Sequence, residues 1–211
     1  MVVIMTRALL VIDVQESFRH GPLWSAISNP GIADDVGSLV DGVRANGDLV
    51  VWVLHSEPGS GTAFDPASGY VRYMDPLTPQ VGEPQLTKTS HNAFTTTNLQ
   101  QLLTQQGITE VIICGIRTEQ CCETTARVAS DLGYQVTYVT EATATSPIAH
   151  RDAPAGQTVE ELLADPRTLP ASAVIERTEY ALAGRFATIS TIAEVTGQAA
   201  MPRSGFDRRA S

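Results

Sequence analysis

Basic residues, cysteines and long apolar runs are all scarce in this chain, and each scarcity removes a class of function. Its 14 Lys and Arg stand against 23 Asp and Glu, a formal net charge of −9 over 211 residues. A field of that sign repels phosphate backbones, so nucleic acid is not expected as a partner. Only three cysteines occur, Cys114, Cys121 and Cys122. An odd number at so tight a spacing cannot build the disulfide framework of a small secreted domain, and reduced thiols are expected. Cys-x-x-Cys and His-x-x-x-His pairs are lacking, which removes the commonest structural zinc patterns. No apolar run is long enough to span a bilayer, and the N-terminal run at 8–12 is too short for a signal-peptide core and stops at Asp13. The expectation is a cytoplasmic protein with no membrane partner.

What is present is ordinary globular material, 43% apolar and 18% charged, without a low-complexity stretch to divide it. The chain is read as a single domain over residues 1–200 followed by a tail at 201–211. Apolar runs at 8–12, 49–54 and 110–114 have the continuous character of strands buried on both faces of a parallel sheet. Shorter strands are expected at 85–89, 135–139 and 173–176. Helices are expected at 30–46, 97–106, 118–132 and 186–195, with Gly47, Gly107 and Gly133 as stops. Strands alternating with helices at this spacing specify an α/β fold, a three-layer α/β/α sandwich around a mostly parallel six-stranded sheet. The stretch 56–84 is rich in Gly, Pro, Asp and Ser and has no period, as in a lid or binding loop.

In open parallel sheets ligands bind beyond the carboxyl ends of the strands. Asp13, His55, Lys88 and the turn from Gly115 to Cys121 all fall at that edge. Cys121 follows a strand and a tight turn, and Thr118 is a natural N-cap. The sulfur would then lie in the first helical turn, where free N–H groups and the helix dipole favour a thiolate and could hold an oxyanion. On these residues alone Cys121 and Cys122 serve equally well as small buried hydrophobes. Asp13 alone could be a turn residue, and Lys88 alone a solvated edge lysine. Together they supply a base, a cation and a thiol. The ammonium would lower the thiol pKa, and the carboxylate would carry its proton to a leaving group.

Three segments carry a resemblance. They are Leu-Val-Ile-Asp13-Val-Gln15-Glu-Ser-Phe18, then Lys88-Thr-Ser-His-Asn-Ala-Phe94 running into Thr97-Asn-Leu99, and Gly115-Ile-Arg-Thr118-Glu-Gln-Cys121 continuing to Thr125-Ala126 and Gly133-Tyr134. In order and spacing the chain resembles the isochorismatase-like cysteine hydrolases, from about residue 8 to 195. That resemblance implies Asp13 as general base, Lys88 as activating cation and Cys121 as nucleophile. It also implies a cis peptide before Arg117, with the N–H groups of Arg117 and Cys121 forming an oxyanion hole. It implies cleavage of a C–N bond in a small amide, ureide or carbamoyl compound through a thioester, with no cofactor, and assembly as a dimer or tetramer. Nicotinamidases of this superfamily carry an Asp-x-His metal motif after the second strand, where this chain has His55-Ser-Glu57, so no metal is expected. Vinyl-ether hydrolysis of the isochorismatase type is the alternative reaction. A non-catalytic ligand-binding or thiol-sensing protein is the alternative class. Phe18, Trp24, His55, His91, Phe94 and Arg117 are the candidate contacts to a small-molecule substrate.

Overall fold

The computed structural model describes residues 6–197. The expected tail at 201–211 lies outside the described residues. Six strands, β1 (Arg7–Ile12), β2 (Leu49–His55), β3 (Gln85–Lys88), β4 (Glu110–Ile116), β5 (Gln135–Ala144) and β6 (Thr188–Ser190), form one sheet in the order β3-β2-β1-β4-β5-β6. Every neighbouring pair is parallel. Six α-helices accompany them: α1 (Ile32–Ala45), α2 (Leu99–Gln105), α3 (Glu123–Asp131), α4 (Val159–Ala164), α5 (Ala171–Leu182) and α6 (Ile192–Thr196).

Alternation along the central strand divides the core. Leu9 and Val11 face a layer built from Ile32, Val36, Leu39, Val40 and Val43 of α1 and Val195 of α6. Ala8, Leu10 and Ile12 face Leu99 and Leu103 of α2, Ala126 and Ala129 of α3 and Leu182 of α5. A strand covered on both faces must be apolar at every position, and this is the physical origin of the unbroken runs at 8–12 and 110–114. The architecture is the expected three-layer α/β/α sandwich.

Two expected elements are corrected. Residues 173–176, expected as a strand, lie inside α5, whose buried side is Val174, Thr178 and Leu182 at four-residue spacing. The last strand is instead Thr188–Ser190, within the stretch expected to be helical from 186 to 195, and only Ile192–Thr196 there is α-helix.

The chain builds β1, β2 and β3 outward in one direction and then returns to place β4 on the other side of β1. The crevice beyond the carboxyl ends of β1 and β4 is therefore the switch point at which such sheets bind ligands. Gly115 sets how closely these two strands meet. A Cβ on it would lie 1.9 Å from the Ile12 carbonyl oxygen, and its φ of 129° is one that only glycine adopts without strain.

The 56–84 segment holds little regular structure beyond a single short turn, Pro66–Ser68. It is nonetheless tied down. Glu16 N–H donates to Arg72 C=O, Ser17 N–H to Tyr70 C=O, and Met74 N–H to Val14 C=O. The loop thus forms a fixed wall over the residues that follow β1.

Candidate active site

Asp13 lies immediately beyond β1, fully buried, at a φ of 54°. Aspartate and asparagine tolerate this left-handed region better than other side-chain-bearing residues. Lys88 ends β3 and is likewise fully buried. Its Nζ lies 2.7 Å from Asp13 Oδ2, 3.4 Å from Cys121 Sγ and 3.3 Å from His55 Nδ1. Parallel register explains the convergence: Ile12 pairs with Val53 and Gly115, and His55 pairs with Lys88, so all four segments end at one level. The structure brings Asp13, Lys88, His55 and Cys121 together.

Cys121 lies in a π-helical turn, Thr118–Cys122, and α3 begins only at Glu123. The expected cap is corrected: Thr118 does not cap a helix, and its hydroxyl donates to Thr143 Oγ1 at 2.9 Å. Other buried bonds fix the turn. Tyr138 OH donates to Thr118 C=O at 2.7 Å, and Thr125 Oγ1 donates to Cys121 C=O at 2.6 Å while accepting from Ala93 N–H at 3.1 Å. Glu123 pairs with Arg127 and Arg177 and accepts from Thr178 Oγ1 at 2.9 Å, which ties α3 to α5. The Ile116–Arg117 peptide is cis.

Burial governs the ionisation of the site. It pushes the Asp13 carboxyl up, against the opposing pull of the Lys88 ammonium. It also pushes the Cys121 thiol up to about 12; the Asp13 carboxylate adds to this, and Lys88 opposes it. The features expected to favour a thiolate are thus outweighed in the resting site. Lys88 does act in the lowering direction, but desolvation and the adjacent carboxylate outweigh it. Cys114 and Cys122 are fully buried, and their thiols are also pushed up by desolvation. Among the described residues no group of three or more His, Cys, Asp and Glu is placed to hold a metal ion, and no helix is long and apolar enough to cross a membrane.

The sequence model of the Isochorismatase domain matches residues 7–169, spanning all of these elements from β1 through the Cys121 turn. The chain belongs to the isochorismatase family. A streptothricin hydrolase of Streptomyces noursei is 34% identical over 181 residues, covering 83% of this chain and 65% of that protein. Nicotinamidase 3 of Arabidopsis thaliana is 34% identical over 151 residues, covering 65% of this chain and 73% of that protein. The crystal structure of an isochorismatase from Pseudomonas putida KT2440 is similar with a TM-score of 0.76 at 28% identity, covering 90% of this chain and 89% of that one.

In this isochorismatase-family hydrolase a cavity of about 160 Å³ is lined by Phe18, Leu23, Trp24, Phe64, Arg117 and Ser146 among others, and Phe64 is its link to the Asp13, Lys88, His55 and Cys121 cluster. The Phe64 ring is edge-on to Phe18 at 5.0 Å between centroids and 5.8 Å from His55. Phe18, Trp24 and Arg117, three of the candidate substrate contacts, line this cavity together. Phe94 and His91 do not line this cavity. Phe94 is buried in the core and stacked against Tyr134, and His91 is exposed on the loop after β3. A larger cavity of about 780 Å³, lined by Asp35, Glu141, Glu179 and Glu194 among others, includes none of the predicted site residues.

Sequence reasoning missed Phe64, which has no periodic neighbours to mark it, and the roles of Gln15 and Glu57. Gln15 is buried, donating from Nε2 to His55 C=O at 3.0 Å and accepting from His55 N–H at 2.7 Å. It fastens the end of β1 to the end of β2. Its place two residues after Asp13, in the first of the three segments carrying the family resemblance, was its signal. His55 Nε2 lies 3.3 Å from Glu57 Oε1. An ammonium can only donate, so Nδ1 accepts from Lys88 and the neutral ring keeps its proton on Nε2, toward Glu57.

Burial foremost, then Lys88, holds the His55 pKa below its ordinary 6.5. Below that value the unfolded chain binds a proton that the folded one refuses. The stability from a neutral His55 is thus complete above about pH 6.5 and drains away as pH falls through the lower folded value. Thermal denaturation of His55→Gln against pH should show a shallower acid limb than the native protein. An unchanged slope would mean that the ring titrates alike in both states.

Proposed function

We propose that this isochorismatase-family hydrolase cleaves a carbon–nitrogen bond of a small amide, ureide or carbamoyl compound through a thioester on Cys121. The observation that carries the reading is one buried ammonium, Lys88 Nζ, within 2.7 Å of a carboxylate and 3.4 Å of a thiol. Similarity to a nicotinamidase and a streptothricin hydrolase points the same way.

Because the thiol is held neutral at rest, the nucleophile is made at the moment of attack. Asp13 takes the proton from Sγ as sulfur adds to the substrate carbonyl, and the backbone N–H groups of Arg117 and Cys121 receive the developing oxyanion. The carbonyl re-forms, the C–N bond breaks, and the proton on Asp13 goes to the departing nitrogen. Ammonia or an amine leaves. Water then gives its proton to Asp13 as its oxygen adds to the thioester carbon. The C–S bond breaks and the thiolate recovers the proton, releasing the acid. The Lys88 amine lies against both groups, facing the carboxylate at rest and the thiolate when the C–S bond breaks. The fully buried state of the Asp13–Lys88 pair makes these interactions strong. We further place the protein in a reducing compartment, the cytoplasm, as a homo-oligomer acting on a small molecule.

An ammonia-release screen over small amides, ureides and carbamoyl amino acids, run on the native protein, Cys121→Ala and Cys122→Ala, tests this. Loss of the nucleophile should cost on the order of 10⁴-fold or more in kcat, whereas Cys122→Ala should keep most of its activity. An acyl adduct trapped by mass spectrometry should map to Cys121. The opposite pattern of loss would assign the chemistry to the wrong sulfur.

A further inference from the structure

We propose that the Arg117 guanidinium is the anchor for an anionic group on the substrate, so that the compound cleaved is a small carboxylate-bearing amide or carbamoyl acid. The inference rests on the C–N hydrolase reading and adds the substrate's charge and size. Arg117 is the only charged residue among those lining the cavity, whose other walls include Phe18, Leu23, Trp24, Ile27 and Phe64. Arg117 is half-buried, and this lining offers its guanidinium no counter-charge. Its guanidinium lies over the Phe18 ring, 5.9 Å from the centroid, which orients the group without neutralising it.

Among the described residues no carboxylate comes within ion-pair distance of Arg117. The acids and bases near it are engaged elsewhere. Arg19, the other cation over an aromatic wall, 5.8 Å from the Trp24 ring, is paired with Glu16 at 2.8 Å. Glu57 faces His55, and Glu119 receives the Thr145 hydroxyl on Oε2, while its buried Oε1 meets no partner and makes no ion pair with Arg117. Arg117 is therefore the one cation of the cavity whose hydrogen-bonding capacity faces a ligand.

Position makes it useful. Arg117 carries one of the two N–H groups assigned to the oxyanion, and its carbonyl accepts from Cys122 N–H at 3.2 Å, so guanidinium and sulfur belong to one rigid turn. A substrate whose carboxylate meets the guanidinium, with an apolar segment against Phe18 and Phe64, can present its other end to Cys121. A cavity of about 160 Å³ is well below the roughly 300–1,000 Å³ of sites for drug-sized ligands. That suits a compound of a few carbons. A bidentate guanidinium–carboxylate pair also explains why arginine rather than lysine stands here.

The test compares succinamate with butyramide, which replaces the carboxylate by a methyl group. Native enzyme should favour succinamate in kcat/KM by roughly 10- to 100-fold. In Arg117→Met the preference should fall to about unity, chiefly through KM, and Arg117→Lys should restore part of it. Arg19→Met should keep the preference. Equal use of both amides by the native enzyme would overturn the assignment, as would loss of the preference in Arg19→Met instead. Binding of the same two compounds to Cys121→Ala, followed by ligand-detected NMR, separates this inference from the reaction itself. Selective binding of succinamate that vanishes with Arg117→Met upholds the anchor even if no amide is turned over. Equal binding of the two, or none, removes it.

Discussion

Replacing Asp13 by asparagine is expected to abolish turnover and, in the same protein, to make Cys121 easier to alkylate. The two effects have opposite signs because Asp13 does two things to one sulfur. In the proposed reaction it is the base that removes the thiol proton during attack. As a neighbouring charge it holds that proton on at rest, and with burial it keeps the thiol at about 12. Asparagine preserves the left-handed backbone and the side-chain shape but neither the charge nor the basicity. Lys88, 3.4 Å from Sγ, is then left with the sulfur as its counter-ion. Each unit by which the thiol pKa falls raises the thiolate fraction about tenfold near neutrality, partly offset by weaker nucleophilicity. Iodoacetamide labelling of Cys121, followed by peptide mass spectrometry between pH 7 and 9, should therefore rise on the order of tenfold or more as turnover drops. Cys114 and Cys122, both fully buried, serve as unreactive references. Slower labelling in the variant would show that Asp13 does not control the thiol.

The second large effect concerns stability. Lys88→Met removes a fully buried ammonium and strands a fully buried carboxylate 2.7 Å from where its partner was. Breaking one side of such a pair costs roughly 3–5 kcal/mol, whereas replacing both sides with uncharged groups of similar volume is often close to neutral. Lys88→Met should therefore unfold at markedly lower denaturant, and the Asp13→Asn/Lys88→Met double variant should recover much of the loss while remaining inactive. Urea titrations of the four proteins form a double-mutant cycle. If the double variant is less stable than the native protein by the full sum of the two single effects, the two groups do not form an electrostatic unit. Recovery of fold without recovery of turnover separates what Lys88 does for the sheet from what it does for the reaction.

How much of this could be read beforehand depended on where burial acts. Continuous apolar runs announce strands covered on both faces, so β1, β2 and β4 were legible, and with them the edge at which Asp13, Lys88 and Cys121 converge. Thr188–Ser190 was not, because a three-residue edge strand need not be apolar. Nor was α5, since Thr178, a buried polar residue, breaks its apolar stripe. The balance that sets the thiol's ionisation was not legible for the same reason. Helix termini and lysines can be seen in a sequence, but desolvation is a property of everything packed around the group. Phe64 lay in an aperiodic loop whose path is set by backbone bonds to residues 14–17, a relation that no local pattern records.

The absent side chain at Gly115 carries a last consequence. With the Ile12 carbonyl filling the space a methyl group would need, the segments bearing Asp13 and Cys121 are meshed like two teeth of one gear and cannot shift independently. Reaction geometry is settled before any compound arrives, leaving no slack in the floor of the site to accommodate a different scaffold. Retargeting this enzyme in the laboratory would therefore succeed by reshaping the overhanging wall around Phe64 and Trp24, and fail by adjusting the strands beneath it.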